Sequence, residues 1–169
     1  EAERIVIAAG SRPVVPDAFA DSGLPYETSD TVMRRDTPPE HLAVLGGGYI
    51  AAELAHVFAA AGSRITIIEK SGRLLDGPQD DAVRDVYTDL MRDNYDVRCG
   101  TELIGISGSP GDLSIELDDG TSVKANALLV AAGRRPNSDR LDDEKAGIDT
   151  HDDRRIAVDS FCRTSAEGI

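Results

Sequence analysis

Short runs of apolar residues recur along the chain and predict buried strands. Most of them are bounded by turn residues and lack the alternation of a half-exposed strand, which is typical of strands covered on both faces of a parallel sheet. The first run, at the start of the chain, predicts a buried strand of the same kind. The predicted strands are 5–9, 42–45, 65–68, 97–99 and 128–132.

Two segments carry apolar residues at helical spacing instead. The first runs from about residue 49 to Gly62, a residue that favours a helix C-terminus, and the second from about 80 to 94. The apolar stripes predicted to face the core are Ile50, Leu54, Val57, Phe58 and Ala61 on the first helix, and Val83, Val86, Tyr87, Leu90 and Met91 on the second. Residues 42–69 therefore read as one βαβ unit.

Between residues 103 and 123 the apolar period changes to two. Leu103, Ile104 and Ile106 precede a second alternating segment, 113–117, and Asp119–Gly120 forms a hairpin turn signal before Val123. This pattern predicts an antiparallel β-meander inserted after the βα units.

Composition narrows the class of partner. The formal net charge of −13 disfavours nucleic acid and anionic membranes, and no apolar stretch approaches the ~18 residues of a membrane span. Cys99 and Cys162 are far apart and form no CxxC or CxxxxC pair, so they are expected to be unpaired thiols in a reducing cytoplasm. The three histidines show no metal-ligand spacing.

The chemistry is carried by the glycines that join the second predicted strand to the first helix. Gly46, Gly47 and Gly48 begin a G-x-G-x-x-A version of the dinucleotide fingerprint, which ends at Ala51. Gly46 would allow the tight turn, Gly48 would let the backbone approach a pyrophosphate, and Ala51 would let the helix pack closely on the strand. The helix N-terminus at Tyr49–Ile50 would offer N–H groups and a positive dipole to the phosphates.

The fingerprint also calls for an acidic residue at the end of the next strand. Glu69 stands there, 21 positions after Gly48, and its carboxylate can accept hydrogen bonds from ribose hydroxyls. The expected fold class is therefore α/β: a Rossmann-like dinucleotide-binding domain, a parallel sheet with helices plus an inserted antiparallel β-meander.

Two similar strings bracket this domain. Residues 5–13 and 129–137 each read as an apolar strand followed by Ala-Gly, Arg and Pro. With the fingerprint, this bracket resembles class I pyridine nucleotide-disulfide oxidoreductases. The resemblance covers the whole chain and implies one NAD(P)-binding domain over 1–169, with crossing segments 1–16 and 134–169 leading toward an FAD domain absent from this chain. Residues 21–34 and 46–71 are most similar to one branch, which reduces a low-molecular-weight disulfide.

The resemblance carries roles onto particular residues. Tyr49 matches the tyrosine that covers the flavin until the nicotinamide displaces it, and Glu53 matches a helix glutamate near nicotinamide and flavin; both are the catalytic candidates. Cofactor-binding candidates are Gly46, Gly47, Gly48, Tyr49, Ile50, Glu69, Lys70, Arg73, Ala132 and Gly133. The expected cofactors are NAD(H) or NADP(H), with FAD in a full-length parent that passes hydride from NAD(P)H to flavin and electrons to a substrate disulfide.

Several alternatives stay open. The family's CxxxxC pair, its FAD fingerprint and its interface domain are absent from these residues, so this chain alone is expected to be colourless and inactive. The parent is expected to be a cytoplasmic homodimer without membrane or nucleic-acid partners. Lipoamide dehydrogenase, mercuric reductase or glutathione reductase remain alternative branches, and a non-catalytic nucleotide-binding redox sensor is an alternative class.

The nucleotide preference is a further open question. Glu69 favours NADH because its charge would meet a 2′-phosphate. Lys70 and Arg73 could clamp such a phosphate if the loop turned inward, and the branch resemblance favours NADPH.

Overall fold

A computed structural model describes residues 2–77 and 80–169, which divide into two compact units. The larger unit spans 13–133 and contains the glycine motif, while the smaller comprises 1–12 and 134–169. These limits lie close to the expected crossing segments, 1–16 and 134–169. Assignment of those segments to a flavin domain stays a prediction.

Between residues 41 and 130 the helices and strands follow the expected order. The strands are β1 (Ser11–Pro13), β2 (His41–Leu45), β3 (Arg64–Glu69), β4 (Asp96–Cys99), β5 (Leu103–Ser109), β6 (Asp112–Leu117), β7 (Ser122–Ala125), β8 (Ala127–Val130) and β9 (Arg134–Pro136). The α-helices are α1 (Asp17–Ala20), α2 (Tyr49–Ala60) and α3 (Asp81–Asn94), and 3-10 turns occupy Val32–Arg34, Asn137–Arg140 and Asp143–Ala146.

The larger unit is built around a four-stranded parallel sheet in the order β4-β3-β2-β8. The order reverses at β2, because the chain leaves it in one direction to β3 and returns on its other side as β8. In parallel sheets the crevice at such a switch point, beyond the carboxyl ends of the strands, is where ligands bind. The expected α/β fold class is confirmed.

Opposite faces of the sheet are covered by different layers. Residues Leu42, Val44, Ile65, Ile67 and Leu129 pack against α2 and α3 in one buried cluster. Their alternating neighbours, among them Ala43, Ile68 and Val130, pack against the antiparallel meander β5-β6-β7. Strands covered on both faces need apolar residues at every position, which explains the unbroken apolar runs of the sequence.

The helix faces differ from those expected. On α2 the buried residues are Ala51, Ala55 and Phe58, whereas Val57 is exposed. On α3 the buried residues are Thr88 and Met91, and Val83, Val86 and Leu90 are all more than half exposed. Phe58 and Met91 are buried as expected, and Leu54 and Tyr87 pack against the same cluster. The expectation is wrong at the exposed valines and Leu90, because small or hydroxylated residues allow the helices to approach the sheet closely, a requirement that a hydropathy pattern does not register.

The smaller unit contains the pair β1-β9. Arg12 donates to Asp139 and to the Asn137 side chain, and this pairing lowers the pKa of the Asp139 carboxyl. The expected buried strand over 5–9 is wrong: Ile5 and Val6 are 52% and 88% exposed. An apolar segment becomes a buried strand only when neighbours pair with it, and within the described residues none of the named strands includes it.

A buried histidine begins β2. Its Nδ1 accepts from the Arg64 guanidinium at 2.8 Å, and its Nε2 lies 2.9 Å from the Thr66 hydroxyl, which in turn donates to Asp96. This network fits a neutral His41 with the proton on Nε2, because protonating Nδ1 would end its acceptance from Arg64. Burial, and secondarily the charge of Arg64, lower the pKa of His41 below its ordinary value of 6.5.

The lowered pKa predicts a pH dependence of stability. Below pH 6.5 His41 takes up a proton more readily in the unfolded chain than in the folded chain. The contribution of neutral His41 to the free energy of unfolding is therefore complete above pH 6.5 and declines as the pH falls. As the pH falls below 6.5, the free energy of unfolding should fall by at most about 1.4 kcal/mol per pH unit. Urea unfolding at about pH 7.5, 6.5 and 5.5 measures it. His41→Asn should flatten the dependence, and replacement of the exposed His56 should not.

Candidate dinucleotide-binding site

A cavity of about 520 Å³ lies in the larger unit, at the carboxyl edge of the parallel sheet. The segments that follow β2, β3, β4 and β8 all contribute to it, as expected for a switch-point crevice. Its lining residues are Val14, Pro16, Phe19, Leu45–Gly48, Ile68–Ser71, Asp76, Thr101–Leu103 and Ala131–Gly133.

The first two glycines of the motif are needed for close approach. Gly46 has φ +105°, and a Cβ there would lie 2.4 Å from the carbonyl oxygen of Ala131. A Cβ on Gly47 would lie 2.6 Å from the Leu74 side chain and 3.0 Å from that of Glu69. A side chain at Gly46 would therefore displace the backbone after β8, whereas one at Gly47 would require the Leu74 and Glu69 side chains to move.

Gly48 differs from its two neighbours. It has φ −77°, which any residue adopts, and a Cβ there would meet nothing within 4 Å. It is the N-cap of α2, and within the described residues no side chain caps this helix. The first N–H groups of a twelve-residue helix thus begin at the cavity wall, where their partial positive charge suits a phosphate.

Glu69 holds the glycine motif to the loop after β3. Its Oε2 accepts from the Gly47 N–H, and its Oε1 accepts from the Ser71 N–H at 2.7 Å. Each carboxylate oxygen has a second lone pair, so Glu69 retains acceptor capacity toward the cavity that it lines. The acidic residue expected at this strand end is thus also part of the loop's own architecture.

The cations expected beside Glu69 are placed differently from one another. Lys70 is exposed and lines the cavity. Arg73 does not line it: its guanidinium is bonded to Asp85 at 2.7 Å and to Asp81, on the first turns of α3. These hydrogen bonds raise the pKa of Arg73. The structure therefore does not bring Arg73 together with the other cofactor-binding candidates.

The remaining candidates separate into two groups. Ala132 and Gly133 line the cavity after β8, alongside Ala131, whose N–H donates to the Leu45 carbonyl at 2.8 Å. Tyr49 is 60% exposed at the start of α2, and Glu53 is exposed one turn later. Tyr49, Ile50 and Glu53 do not line the cavity, and their roles stay predictions.

Sequence reasoning missed several lining residues. Ser71 and Asp76 lie in the loop after β3, and Thr101–Leu103 follow β4. The signal was present, since every segment that leaves a parallel strand at its carboxyl end faces the same edge. Phe19, on the short helix α1, had no such signal because it precedes the sheet in the chain.

Comparisons with known proteins agree with this geometry. The family model described as pyridine nucleotide-disulphide oxidoreductase matches residues 1–169. Mycothione reductase from Mycobacterium tuberculosis is 44% identical over 168 residues, covering 99% of this chain and 36% of that protein. Glutathione reductase from Burkholderia cepacia is 33% identical, covering 99% of this chain and 37% of that protein.

The chain belongs to the pyridine nucleotide-disulphide oxidoreductase family. A solved structure, the Cu(II) complex of the HOCl-induced flavoprotein disulfide reductase RclA from Escherichia coli, superposes with a TM-score of 0.82 at 29% identity. The superposition covers 98% of this chain and 38% of the RclA chain. The chain thus spans little more than a third of the length of these relatives. The expected family and fold are confirmed.

Two further observations concern the cysteines and the helices. Cys99 and Cys162 are both free, and burial raises the pKa of the Cys99 thiol, which disfavours the reactive thiolate. Among the helices of residues 2–77 and 80–169, none is long and apolar enough to cross a bilayer.

Proposed function

We propose that the larger unit binds a nicotinamide dinucleotide in its cavity. The pyrophosphate would lie over Gly48 at the N-terminus of α2, and Glu69 would accept from the ribose hydroxyls of the adenosine half. Ala132 and Gly133 would line the far end of the site, toward the nicotinamide. The residues fit the cofactor, because the space in front of Gly48 is open while Gly46 and Gly47 are closely packed from behind.

One observation carries the proposal. The Glu69 carboxylate bonds the Gly47 N–H at the wall of a cavity formed by the ends of β2, β3 and β8. Dinucleotide binding needs this combination of a glycine turn, a helix N-terminus and an acid on the neighbouring strand.

The activity that we propose follows from the relatives. When bound, the nicotinamide supplies hydride to an FAD, and the flavoprotein passes the electrons to a low-molecular-weight disulfide, with mycothione as the first candidate. Tyr49 would cover the flavin until nicotinamide enters, and Glu53 would lie near both rings. The FAD domain, the interface domain and a homodimeric parent are further parts of this proposal.

The charges of the cavity favour NADH. Among the residues that the structure describes, the charged ones that line it are Glu69, Lys70, Asp76 and Glu102, three acids against one cation. A 2′-phosphate would add negative charge to this environment. The branch of the family that this sequence most resembles is expected to use NADPH. A preference for NADH therefore leaves another branch, such as a lipoamide dehydrogenase, as the second candidate.

A chimera tests the proposed function. The matching segment of the M. tuberculosis relative would be replaced by this chain, and NADH-dependent reduction of mycothione would be followed. The expected result is a flavin-containing protein whose flavin is reduced by NADH and which reduces the disulfide. A chimera that binds FAD normally and is reduced by neither NADH nor NADPH would overturn the proposal.

A further inference from the structure

Three apolar side chains form an exposed row along α3. Val83, Val86 and Leu90 are each more than half exposed, and they follow one another at intervals of three and four residues. That spacing places them side by side on the helix, away from the buried Thr88 and Met91. Scattered exposed apolar residues are ordinary, whereas a contiguous group of them marks a contact surface.

A row of acids borders these apolar side chains. Asp85, Asp89 and Asp93 recur at every fourth residue of the helix. Asp85 is bonded to Arg73 at 2.7 Å, but the cation paired with Asp89 is Arg92 at 3.6 Å, which is longer than a hydrogen bond. Asp93 has no ion pair within the described part of the chain. Like charges four residues apart destabilise a helix, so this row carries a cost that the chain's own cations offset only in part.

The two rows together form the α3 face, and its charges decide which occupant fits. A second copy of this chain would bring a further net charge of −13, and an antiparallel pairing of the two helices would oppose the two acid rows. Phosphate-bearing surfaces would be repelled in the same way. Paired helices pack apolar residues spaced by three and four, and the charges beside them select the partner. The α3 face therefore suits a helix with an apolar row bordered by Lys or Arg.

We propose that the α3 face is a docking surface for a basic amphipathic helix of another protein. The apolar row of that helix would cover Val83, Val86 and Leu90, and its cations would pair with Asp89 and Asp93. With 14 residues, α3 is about 21 Å long, so the contact extends over at most about four turns and is weak and reversible. The described residues of α3 do not line the cavity, so this inference is independent of the nucleotide site.

Fluorescence anisotropy with designed peptides tests this inference on the 169-residue chain at about 0.15 M salt. The Lys peptide is a helix of about three heptads with Leu at a and d and Lys at e and g, and the Glu peptide has Glu in place of each Lys. The chain should bind the Lys peptide with a dissociation constant of about 10–100 µM and the Glu peptide at least about tenfold more weakly.

The apolar row is tested by removing two of its side chains. The double variant Val86→Ser, Leu90→Ser should weaken binding of the Lys peptide at least about tenfold, because the peptide's leucines lose the surface that they cover. Val57→Ser is the matched control, since Val57 is an exposed valine on α2. It should leave the affinity within about twofold of wild type.

The acid row is tested by reversing its charge. Asp89→Lys, Asp93→Lys should weaken binding of the Lys peptide at least about tenfold and strengthen binding of the Glu peptide by a similar factor. Glu40→Lys, Asp112→Lys makes the same change of net charge at two exposed acids outside α3. In this control the order of the two peptides should stay as in wild type.

Each contrary outcome overturns the proposal. Failure of the Lys peptide to bind would do so directly, and equal effects in the matched controls would show general charge attraction instead of a defined face. Binding by the chain but not by the chimera described above would assign the α3 face to another part of the same polypeptide. Sedimentation that shows a dimer, lost in Val86→Ser, Leu90→Ser, would assign it to a second copy.

Discussion

Gly48→Val should abolish measurable binding of NADH while the chain remains folded. The valine side chain would fill the open space from which a pyrophosphate must approach the α2 N-terminus. We expect the dissociation constant to rise at least about 100-fold, equivalent to about 2.7 kcal/mol. The backbone of Gly48 accepts an ordinary residue, so the free energy of unfolding should fall by only about 1 kcal/mol, the usual cost of an apolar N-cap.

Gly72→Val is the matched control for this substitution. Gly72 lies in the loop that follows Glu69 at the end of β3. A Cβ added to Gly72 would meet nothing within 4 Å, and Gly72 does not line the cavity. It should leave NADH binding within about twofold of wild type. Undiminished NADH affinity in Gly48→Val would remove Gly48 from the phosphate loop. A chain unfolded by that substitution would contradict the packing described around α2.

Glu69→Gln should narrow the preference for NADH over NADPH at least about tenfold. The ceiling is set by Coulomb repulsion: two charges ~4 Å apart at a surface-like dielectric repel by about 4 kcal/mol, or about three decades of affinity. The amide cannot accept with both of its terminal atoms, so one backbone bond, to Gly47 or Ser71, should also be lost. NADH binding itself should therefore weaken by about five- to tenfold.

Glu40→Gln provides the same change of charge at the opposite end of the sheet, just before β2. It should leave the ratio of the NADH and NADPH dissociation constants as in wild type. A wild-type chain that prefers NADPH would contradict the assignment of Glu69 to the ribose. Lys70 would then be the residue that reads the phosphate, since Arg73 is bonded to Asp81 and Asp85.

Much of the fold could be predicted because the sheet is buried on both faces. The central strands β2 and β8 need apolar residues at consecutive positions, and that requirement is visible in the sequence. The glycine motif is equally visible, because close backbone approach at Gly46 admits no side chain. Local constraints of this kind leave a direct record in the residue types.

The helix faces could be predicted only in part, at Phe58 and Met91, for the opposite reason. The core accepts Ala51 and Ala55 from α2, and Thr88 from α3, whose hydroxyl receives a hydrogen bond from the Leu74 N–H at 3.0 Å. Hydropathy assigns such residues little weight and favours the more apolar Val83, Val86 and Leu90 for the core. Burial of small residues depends on the distance between helix and sheet, which is a property of the assembled unit.

The candidate site shows the same division. The position of Glu69 in the motif predicts it, whereas a role for Arg73 is expected from its proximity in sequence alone. In the structure Arg73 forms ion pairs with carboxylates of α3, and Asp76 lines the cavity instead. Which of several charged loop residues faces a ligand is decided by ion pairs formed across the fold, and these leave no local pattern.

The most direct test of the nucleotide site is a titration of the ¹⁵N-labelled chain with NADH, followed residue by residue by NMR. The largest amide shifts should occur in four segments that meet only in the folded unit: 46–50, 69–71, 101–103 and 131–133. Shifts confined to these segments, and lost in Gly48→Val, are the predicted result. An unchanged spectrum at saturating NADH, or shifts clustered on the meander strands instead, would contradict a dinucleotide site at the carboxyl edge of the sheet.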